Sequence, residues 1–552
     1  MKTVIIGGVA GGASAAARLR RLDEKAEIVM LERGGFISFA NCGLPYHIGG
    51  DIKDRDELLL QTPESFTARF GVDTRIFSEA VSIDRAGKTV TVKNTSTGEV
   101  YKESYDKLIL SPGAVPFVPK IDGIDNEKVF TLRSIPDTLR IKNFIENESP
   151  ESAVVVGGGY IGIEMAENLA KAGLSVTIVE MTDHVIASLD YDMACQVHRY
   201  LKRKGISLAL SSRLASIGEE GGKLALTLEK EEQSMALSTD MVILSVGVKP
   251  DSELAGAAGL ALGKTGAISV NEAMLTSDEN IYAVGDAVEV KEFVTGQMSH
   301  IPLAGPANKQ GRIAADNIRG LDSRYKGTQG SAIIKIFDMT VAVTGITETA
   351  AARQGIDHDK VFTLAPSNAL YYPGSRDMSV KTVFEKTTGR ILGAQIVGYK
   401  GVDKRCDVLA TAIRAGMTAE DLAELELCYA PPFSSAKDPV NFAGYVIMNT
   451  VGGFVKNFHW HDVAALPRDG SVTLIDVRLP EEYEEGNIDG FVNIELDTLR
   501  ENLGRLDREK PVYVHCRSGL RSYIACRLLT QNGFDCRNLS GGYWLYRIVT
   551  GG

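Results

Sequence analysis

Thr3-Val4-Ile5-Ile6-Gly7-Gly8-Val9-Ala10-Gly11-Gly12 is the stretch from which the 552-residue chain is read. Four apolar residues predict a short buried strand, the glycines a tight turn, and the alanine-rich run from Ala13 to Leu22 a helix. In a G-x-G-x-x-G arrangement Gly7 makes the turn and Gly12 lets helix and strand pack closely, so the helix N-terminus faces a pyrophosphate. Val9 stands in the middle slot, where a glycine normally permits the closest phosphate approach. A second strand, Glu27–Leu31, runs into Glu32, where an acidic side chain can bind ribose hydroxyls; Glu32 and the adjacent Arg33 are taken as dinucleotide contacts.

The same grammar recurs downstream with all three glycines in place. Ala153-Val154-Val155-Val156 leads into Gly157-Gly158-Gly159-Tyr160-Ile161-Gly162, a helix is expected from Ile163, and the strand Ser175–Val179 ends at Glu180. An acid there accepts hydrogen bonds from both ribose hydroxyls and repels a 2′-phosphate, which favours NADH over NADPH. Met241–Val246 with Gly247-Val248-Lys249-Pro250 closes this domain. Two such motifs imply two dinucleotides, the arrangement needed to pass a hydride from one to the other.

Between them lies Phe36-Ile37-Ser38-Phe39-Ala40-Asn41-Cys42-Gly43-Leu44-Pro45-Tyr46-His47-Ile48-Gly49-Gly50. Gly43 allows close backbone approach and Pro45 suits the first turn of a helix, whose positive end would favour a Cys42 thiolate. The words Gly-Gly-Val-Ala-Gly-Gly at 7–12 and Ser-Phe-Ala-Asn-Cys-Gly-Leu-Pro-Tyr at 38–46 resemble the coenzyme A-disulfide reductases, a single-cysteine branch of the FAD-dependent pyridine nucleotide disulfide oxidoreductases. The resemblance runs from residue 1 to about 445. Relatives of the glutathione and lipoamide type carry a second cysteine five residues on; here that position is His47, so Cys42 pairs with something outside the chain or with a distant residue.

That resemblance assigns further residues. Tyr105–Ala114 is similar to the strand-turn motif between the FAD and nicotinamide domains, and Asn280–Ala287 to the motif whose aspartate, here Asp286, binds the flavin ribityl chain. It implies that Arg21, Ser38, Asn41, Asn308 and Arg312 contact coenzyme A, with Arg18 as a further candidate. Arg18 and Arg21 share a helix face at i, i+3, and Asn308 and Arg312 are neighbours in the same helical sense. From Ser331 to about Tyr445 the pattern turns to β-rich runs (332–337, 379–384, 391–397) and then helices, like the family's dimerisation domain. In that family two tyrosines, here Tyr371 and Tyr429, reach across the dimer towards the partner's active cysteine, where a phenol can give a proton to a departing thiolate. Tyr372 is read as packing.

Residues 450–458 read as a linker, and a smaller α/β domain starts near His459. Thr473–Arg478, Val512–Ser522 and Gly541–Trp544 resemble a rhodanese domain. Loop N–H groups and the dipole of a helix over Ser522–Asn532 would converge on the sulfur of Cys516, Gly519 belongs to that loop, and Arg517 and Arg521 add charge suited to anionic sulfur donors. The spacing is Cys-x4-Arg, shorter than the Cys-x5-Arg loop of cysteine phosphatases. Cys526 and Cys536 are read as structural.

Composition bounds the rest. The chain is 44% hydrophobic and 24% charged with a formal charge of -11, which argues against a nucleic-acid binder. No apolar run reaches membrane-spanning length and the N-terminus enters a strand directly, so no membrane partner is expected. The seven cysteines form no disulfide framework and no zinc-like spacing, so no metal is expected and the cytoplasm is the expected compartment.

The expected fold is therefore α/β: two Rossmann-like nucleotide-binding domains (FAD and NAD), an α+β dimerisation domain and a C-terminal α/β rhodanese domain. The segments are 1–112 and 249–325 for FAD, 113–248 for NAD, 326–448 for dimerisation, 449–458 as linker and 459–552 for the rhodanese domain. The expected function is that of a homodimeric NADH- and FAD-dependent reductase of coenzyme A persulfide, polysulfide and coenzyme A disulfide, with sulfane sulfur handled at Cys516. Two alternatives stand beside it: an NADH oxidase or peroxidase using Cys42 as a sulfenic acid, and a sulfurtransferase whose flavoprotein portion senses redox state.

Overall fold

Strand Lys2–Ile6 lies at the centre of a five-stranded parallel sheet in a computed structural model that describes residues 1–231 and 233–551. The order across that sheet is Ile281–Ala283, Lys107–Leu110, Lys2–Ile6, Glu27–Leu31, Asp73–Arg75. Val4, Ile5, Leu108 and Ile109 are fully buried, as expected for a parallel sheet covered on both faces. The helix after the first strand begins at Ala10, three residues earlier than the alanine run suggests, because Val9 already takes the N-cap. It packs against the helix Ala304–Ile318, and the contact is as close as glycine permits: a Cβ on Gly311 would lie 2.3 Å from the Gly11 carbonyl oxygen.

The second parallel sheet runs Ser207–Ala209, Ser175–Val179, Ser152–Val156, Met241–Leu244, Val129–Thr131. Its glycine loop opens the helix Tyr160–Lys171, again three residues ahead of expectation. The chain enters and leaves this part through two antiparallel strands, Ala114–Pro116 and Val248–Pro250. Together these elements form one compact unit, Met1–Thr182 with Gly205–Gly330.

The other unit comprises Asp183–Lys204 and Ser331–Gly552, of which Gly552, the last residue of the expected rhodanese segment, lies outside the described residues. Its antiparallel sheet runs Ala332–Ile336, Met339–Gly345, Ile391–Gly398, Asp377–Glu385, His358–Pro366. Two of these strands, Met339–Gly345 and His358–Pro366, are not among the β-rich runs read from the sequence; the second opens on the polar His358-Asp359-Lys360. The helix Tyr191–Arg203 belongs here although its sequence neighbours belong to the NAD-binding segment. Its Asp192 receives the buried ammonium of Lys381 at 2.8 Å, and Asp190 is 3.2 Å from the same nitrogen. Lys381 also meets Glu348 at 2.8 Å, so a buried cation is matched by three acids.

The other sheet in this unit is parallel and runs Lys456–Phe458, Cys536–Leu539, Val512–His515, Thr473–Asp476, Val492–Asn493. The reading of 449–458 as linker needs correction at both ends. The helix Pro439–Val451 occupies its start, and Lys456–Phe458 is an edge strand paired with Arg537–Leu539. Three residues of mixed polarity carry no periodic signal, and their strand character comes from ladder hydrogen bonds alone.

Candidate active site

The two glycine loops are built alike. Gly7 has φ +100° and a Cβ there would lie 2.1 Å from the Ser111 carbonyl oxygen; Gly157 has φ +105° and its Cβ would lie 2.3 Å from that of Ser245. Gly12 and Gly162 would each place a Cβ 1.9 Å from the carbonyl of the loop's first glycine. Each loop is held by its acid. Glu32 accepts the Gly8 N–H at 2.9 Å and the Gly34 N–H at 2.9 Å. Glu180 accepts the Gly158 N–H at 2.7 Å, and the N–H and hydroxyl of Thr182, both at 2.9 Å. The space over Gly159 is open, with nothing within 4 Å of an added Cβ. Loops that only glycine can form, opening on helix N-termini beside a carboxylate, fit dinucleotides with their pyrophosphate on the helix and ribose at the acid. The guanidinium of Arg33 pairs with Asp251 at 3.0 Å.

Cys42 sits in a single 3-10 turn, Asn41–Gly43, followed by the five-residue helix Leu44–Ile48. Its side chain is exposed, yet neighbouring protein crowds the sulfur, and that loss of water is the first cause of a raised thiol pKa. The carboxylates of Glu164 and Asp286 push it further in the same direction. The expected preference for thiolate at a helix start is thereby corrected: so short a helix contributes little field, and two nearby acids oppose it. Glu164 is raised by burial in its turn, while the Tyr46 hydroxyl donates to its carboxylate at 3.0 Å. Burial also raises Asp286, against the opposing charges of Arg133 and His300. His47, in the place of a second cysteine, is buried with Nδ1 2.9 Å from the Ile52 carbonyl oxygen.

Four residues before Cys42 in the sequence, Ser38 joins the wall of a cavity of about 390 Å³. The glycine-to-glycine crossing brings Asn308 and Arg312 alongside Ser14 and Arg21, and Arg69 closes the same wall. Three arginines and no acidic residue line it, a fit to phosphates. Two of the expected coenzyme A contacts fall outside this wall. Arg18 turns to Asp316 at 2.6 Å, so its charge is already neutralised, and Asn41 stays in the exposed turn with Cys42. Arg69 was missed because a lone exposed arginine at a helix end looks like any solvated one.

In the second unit Tyr371 and Tyr429 meet: their hydroxyls are 3.2 Å apart and both rings are exposed. The hydrogen bond to Tyr429 raises the Tyr371 phenol pKa. Tyr372 takes no part in this contact.

Cys516 ends the strand Val512–His515, with the helix Leu520–Gln531 starting four residues on. The Gly519 N–H donates to its sulfur at 3.2 Å and the Ser522 hydroxyl at 3.3 Å; Gly519 takes φ +106° to make this possible. The two arginines do not face the sulfur as free charges. Arg521 is held by both oxygens of Glu482 at 2.6 and 2.8 Å, and Arg517 lies 3.4 Å from Asp377. Ser522 is therefore the donor that the arginine count obscured. Cys526 and Cys536 sit sulfur to sulfur at 3.0 Å in the core, and burial keeps Cys526 protonated. Among the described residues no three His, Cys, Asp or Glu side chains gather to hold a metal ion, and no helix is long and apolar enough to cross a membrane.

Comparison with known proteins agrees with this geometry. Residues 1–311 match the pyridine nucleotide-disulphide oxidoreductases, 331–439 the dimerisation domain of that family and 459–547 the rhodanese-like domain. An NADH oxidase of Methanocaldococcus jannaschii is 38% identical over 80% of this chain and 98% of its own length. An NAD(P)H coenzyme A polysulfide/persulfide reductase of Pyrococcus horikoshii is 37% identical over 80% of this chain and 96% of its own. Among solved structures, the reduced Bacillus anthracis CoADR-RHD superposes with a TM-score of 0.97 at 50% identity, covering 100% of this chain and 98% of that one. The chain belongs to the pyridine nucleotide-disulphide oxidoreductases, with a rhodanese-like domain fused behind the dimerisation domain.

Proposed function

We propose that this protein uses NADH to reduce coenzyme A persulfide, polysulfide and coenzyme A disulfide at Cys42, and handles sulfane sulfur at Cys516. The observation that carries the reading is the acid-free, three-arginine cavity whose wall includes Ser38, four residues before an exposed cysteine with no second cysteine at 47. The family is FAD- and NAD(P)H-dependent. The Glu32 loop fits FAD, with Asp286 as its further contact, and the Glu180 loop fits NADH; bound FAD supplies a relay for electron pairs between nicotinamide and thiol.

The chain's own residues then have distinct tasks. Arg21, Arg69 and Arg312 hold the phosphates, with Ser38 and Asn308 as neutral donors and acceptors. Cys42, as thiolate, attacks the sulfur–sulfur bond of the substrate, and one such bond breaks as another forms. Attack at the inner sulfur of a persulfide leaves a mixed disulfide and releases hydrosulfide; attack at its outer sulfur leaves a Cys42 persulfide and releases the thiol; a disulfide leaves a mixed disulfide and releases a thiol. The leaving sulfur needs a proton, which the paired phenols of Tyr371 and Tyr429 can give. In this proposal those phenols come from a second copy of the chain, joined through the dimerisation domain, and the homodimer works in the cytoplasm. Glu180 selects NADH over NADPH by repelling a 2′-phosphate.

The NADH oxidase reading keeps the support of relatives that carry that name, the Methanocaldococcus protein and the water-forming NADH oxidase of Lactobacillus brevis among them. Steady-state NADH consumption by the holoenzyme separates the two. Catalytic efficiency with coenzyme A persulfide or disulfide should exceed that with oxygen or peroxide; the reverse order discards the reductase proposal.

A further inference from the structure

A second cavity, of about 340 Å³, lies wholly inside the second unit and is assigned to nothing above. Arg199 and Arg203 lie at i, i+4 on the helix Tyr191–Arg203, a spacing at which like charges face one another and repel. The helix Gly542–Val549 packs against this one and brings Arg547, while Arg376 enters from just before the strand Asp377–Glu385. Asp377 is the one acid in the wall, set against four arginines.

The cations are poorly compensated. Among the described residues no carboxylate lies within ion-pair distance of Arg199, Arg203 or Arg547. Arg376 reaches Asp338 only at 3.8 Å, and Asp377 is already engaged by Arg517 at 3.4 Å. The Nε–H of Arg547 is buried with no hydrogen-bond partner, a cost that a protein seldom carries without an occupant for the space. Burial, and then the charges of Arg203 and Arg547, lower the pKa of Arg199, so the cluster is repulsive as it stands. A multivalent anion would remove both penalties at once, since planar guanidinium groups match tetrahedral oxyanions in pairs.

We propose that this cavity is a binding site for a multiply charged phosphate group, a diphosphate or a phosphate ester, held by Arg199, Arg203, Arg376 and Arg547. Its volume is near the lower end for small-molecule sites, which suits one or two phosphoryl groups. The site adjoins the sulfur loop: the helix carrying Arg547 donates its Tyr543 N–H to the Cys516 carbonyl at 2.8 Å and its Trp544 N–H to that of Arg517 at 2.9 Å. It shares no residue with the Arg21–Arg69–Arg312 cavity, so it stands or falls separately from the reductase proposal.

The test is calorimetric titration of the holoenzyme with pyrophosphate, inorganic phosphate, sulfate and thiosulfate. Pyrophosphate should bind best, more weakly as salt is raised. R199Q/R547Q should weaken it about tenfold or more, whereas R21Q/R312Q should leave this binding step in place. Because the double variant could disturb packing, R376Q, on an exposed side chain, is titrated alongside it and should weaken binding in the same direction. The proposal is overturned if R376Q and R199Q/R547Q both bind pyrophosphate as the wild type does, or if binding disappears only in R21Q/R312Q. Thiosulfate binding as tightly as pyrophosphate would transfer the site to sulfur oxyanions and overturn the phosphate assignment.

Discussion

Cys42 and Cys516 look alike in sequence, each a cysteine at a loop that opens a helix, and the structure separates them. Cys516 is 1% exposed and receives two hydrogen bonds at its sulfur, from Gly519 and Ser522. Cys42 is exposed, receives no such donors among the described residues, and lies near Glu164 and Asp286, which together with desolvation raise its pKa. The chain's own groups thus point two donors at the Cys516 sulfur. Cys42 instead depends on what surrounds it. The difference teaches that a helix-opening cysteine is not one kind of site.

The broadest way to break this comparison is to remove each sulfur. Cys42→Ser should abolish NADH oxidation with every sulfur substrate, while sulfur transfer from thiosulfate to cyanide persists; Cys516→Ser should do the reverse for small substrates. Wild-type NADH turnover in Cys42→Ser would make Cys42 structural. Next in size are the tyrosines. Tyr371→Phe and Tyr429→Phe should each slow reductive turnover on the order of 10²-fold, the usual loss for a proton donor, and Tyr372→Phe should be nearly silent. The 3.2 Å hydroxyl contact predicts that the double variant loses little beyond either single one, which a double-mutant cycle reads directly.

Two smaller effects sharpen the contrast between the cysteines. Ser522→Ala removes a donor from the Cys516 sulfur and should cut thiosulfate sulfur transfer about tenfold, leaving NADH oxidation with coenzyme A persulfide unchanged. Its failure to slow transfer would return the activating role to Gly519 and the arginines. For Cys42 the sign runs the other way. A Glu164 carboxylate raises the thiol pKa, so Glu164→Gln should move the alkylation profile of Cys42 to lower pH in a Cys516→Ser background. An unmoved profile would mean that burial and Asp286 set the thiol without Glu164.

The tyrosine pair shows how far reading the chain goes. Tyr371 and Tyr429 could be singled out from their motifs by family resemblance, but that their hydroxyls touch depends on two loops 58 residues apart in sequence. Arg18 and Arg21 illustrate the same limit. One helix face holds both, yet one is claimed by Asp316 and the other lines the cavity, because the neighbouring helix crosses at Gly11 and Gly311.

What the sequence by itself determined is whatever a few consecutive residues impose on the backbone. Both glycine loops, the acids that end their second strands, the lone cysteine at 42 and the Cys516 loop were legible for that reason. Gly7, Gly157 and Gly519 take positive φ, Gly12, Gly43 and Gly162 leave no room for a Cβ, and such constraints are local. Tertiary structure alone decided the charge around each site: Glu164 and Asp286 facing Cys42, Arg69 joining Arg21 and Arg312, Glu482 and Asp377 claiming the loop arginines, and four arginines converging on an unassigned cavity. Electrostatic fields sum over residues close in space, and their distance along the chain does not enter the sum.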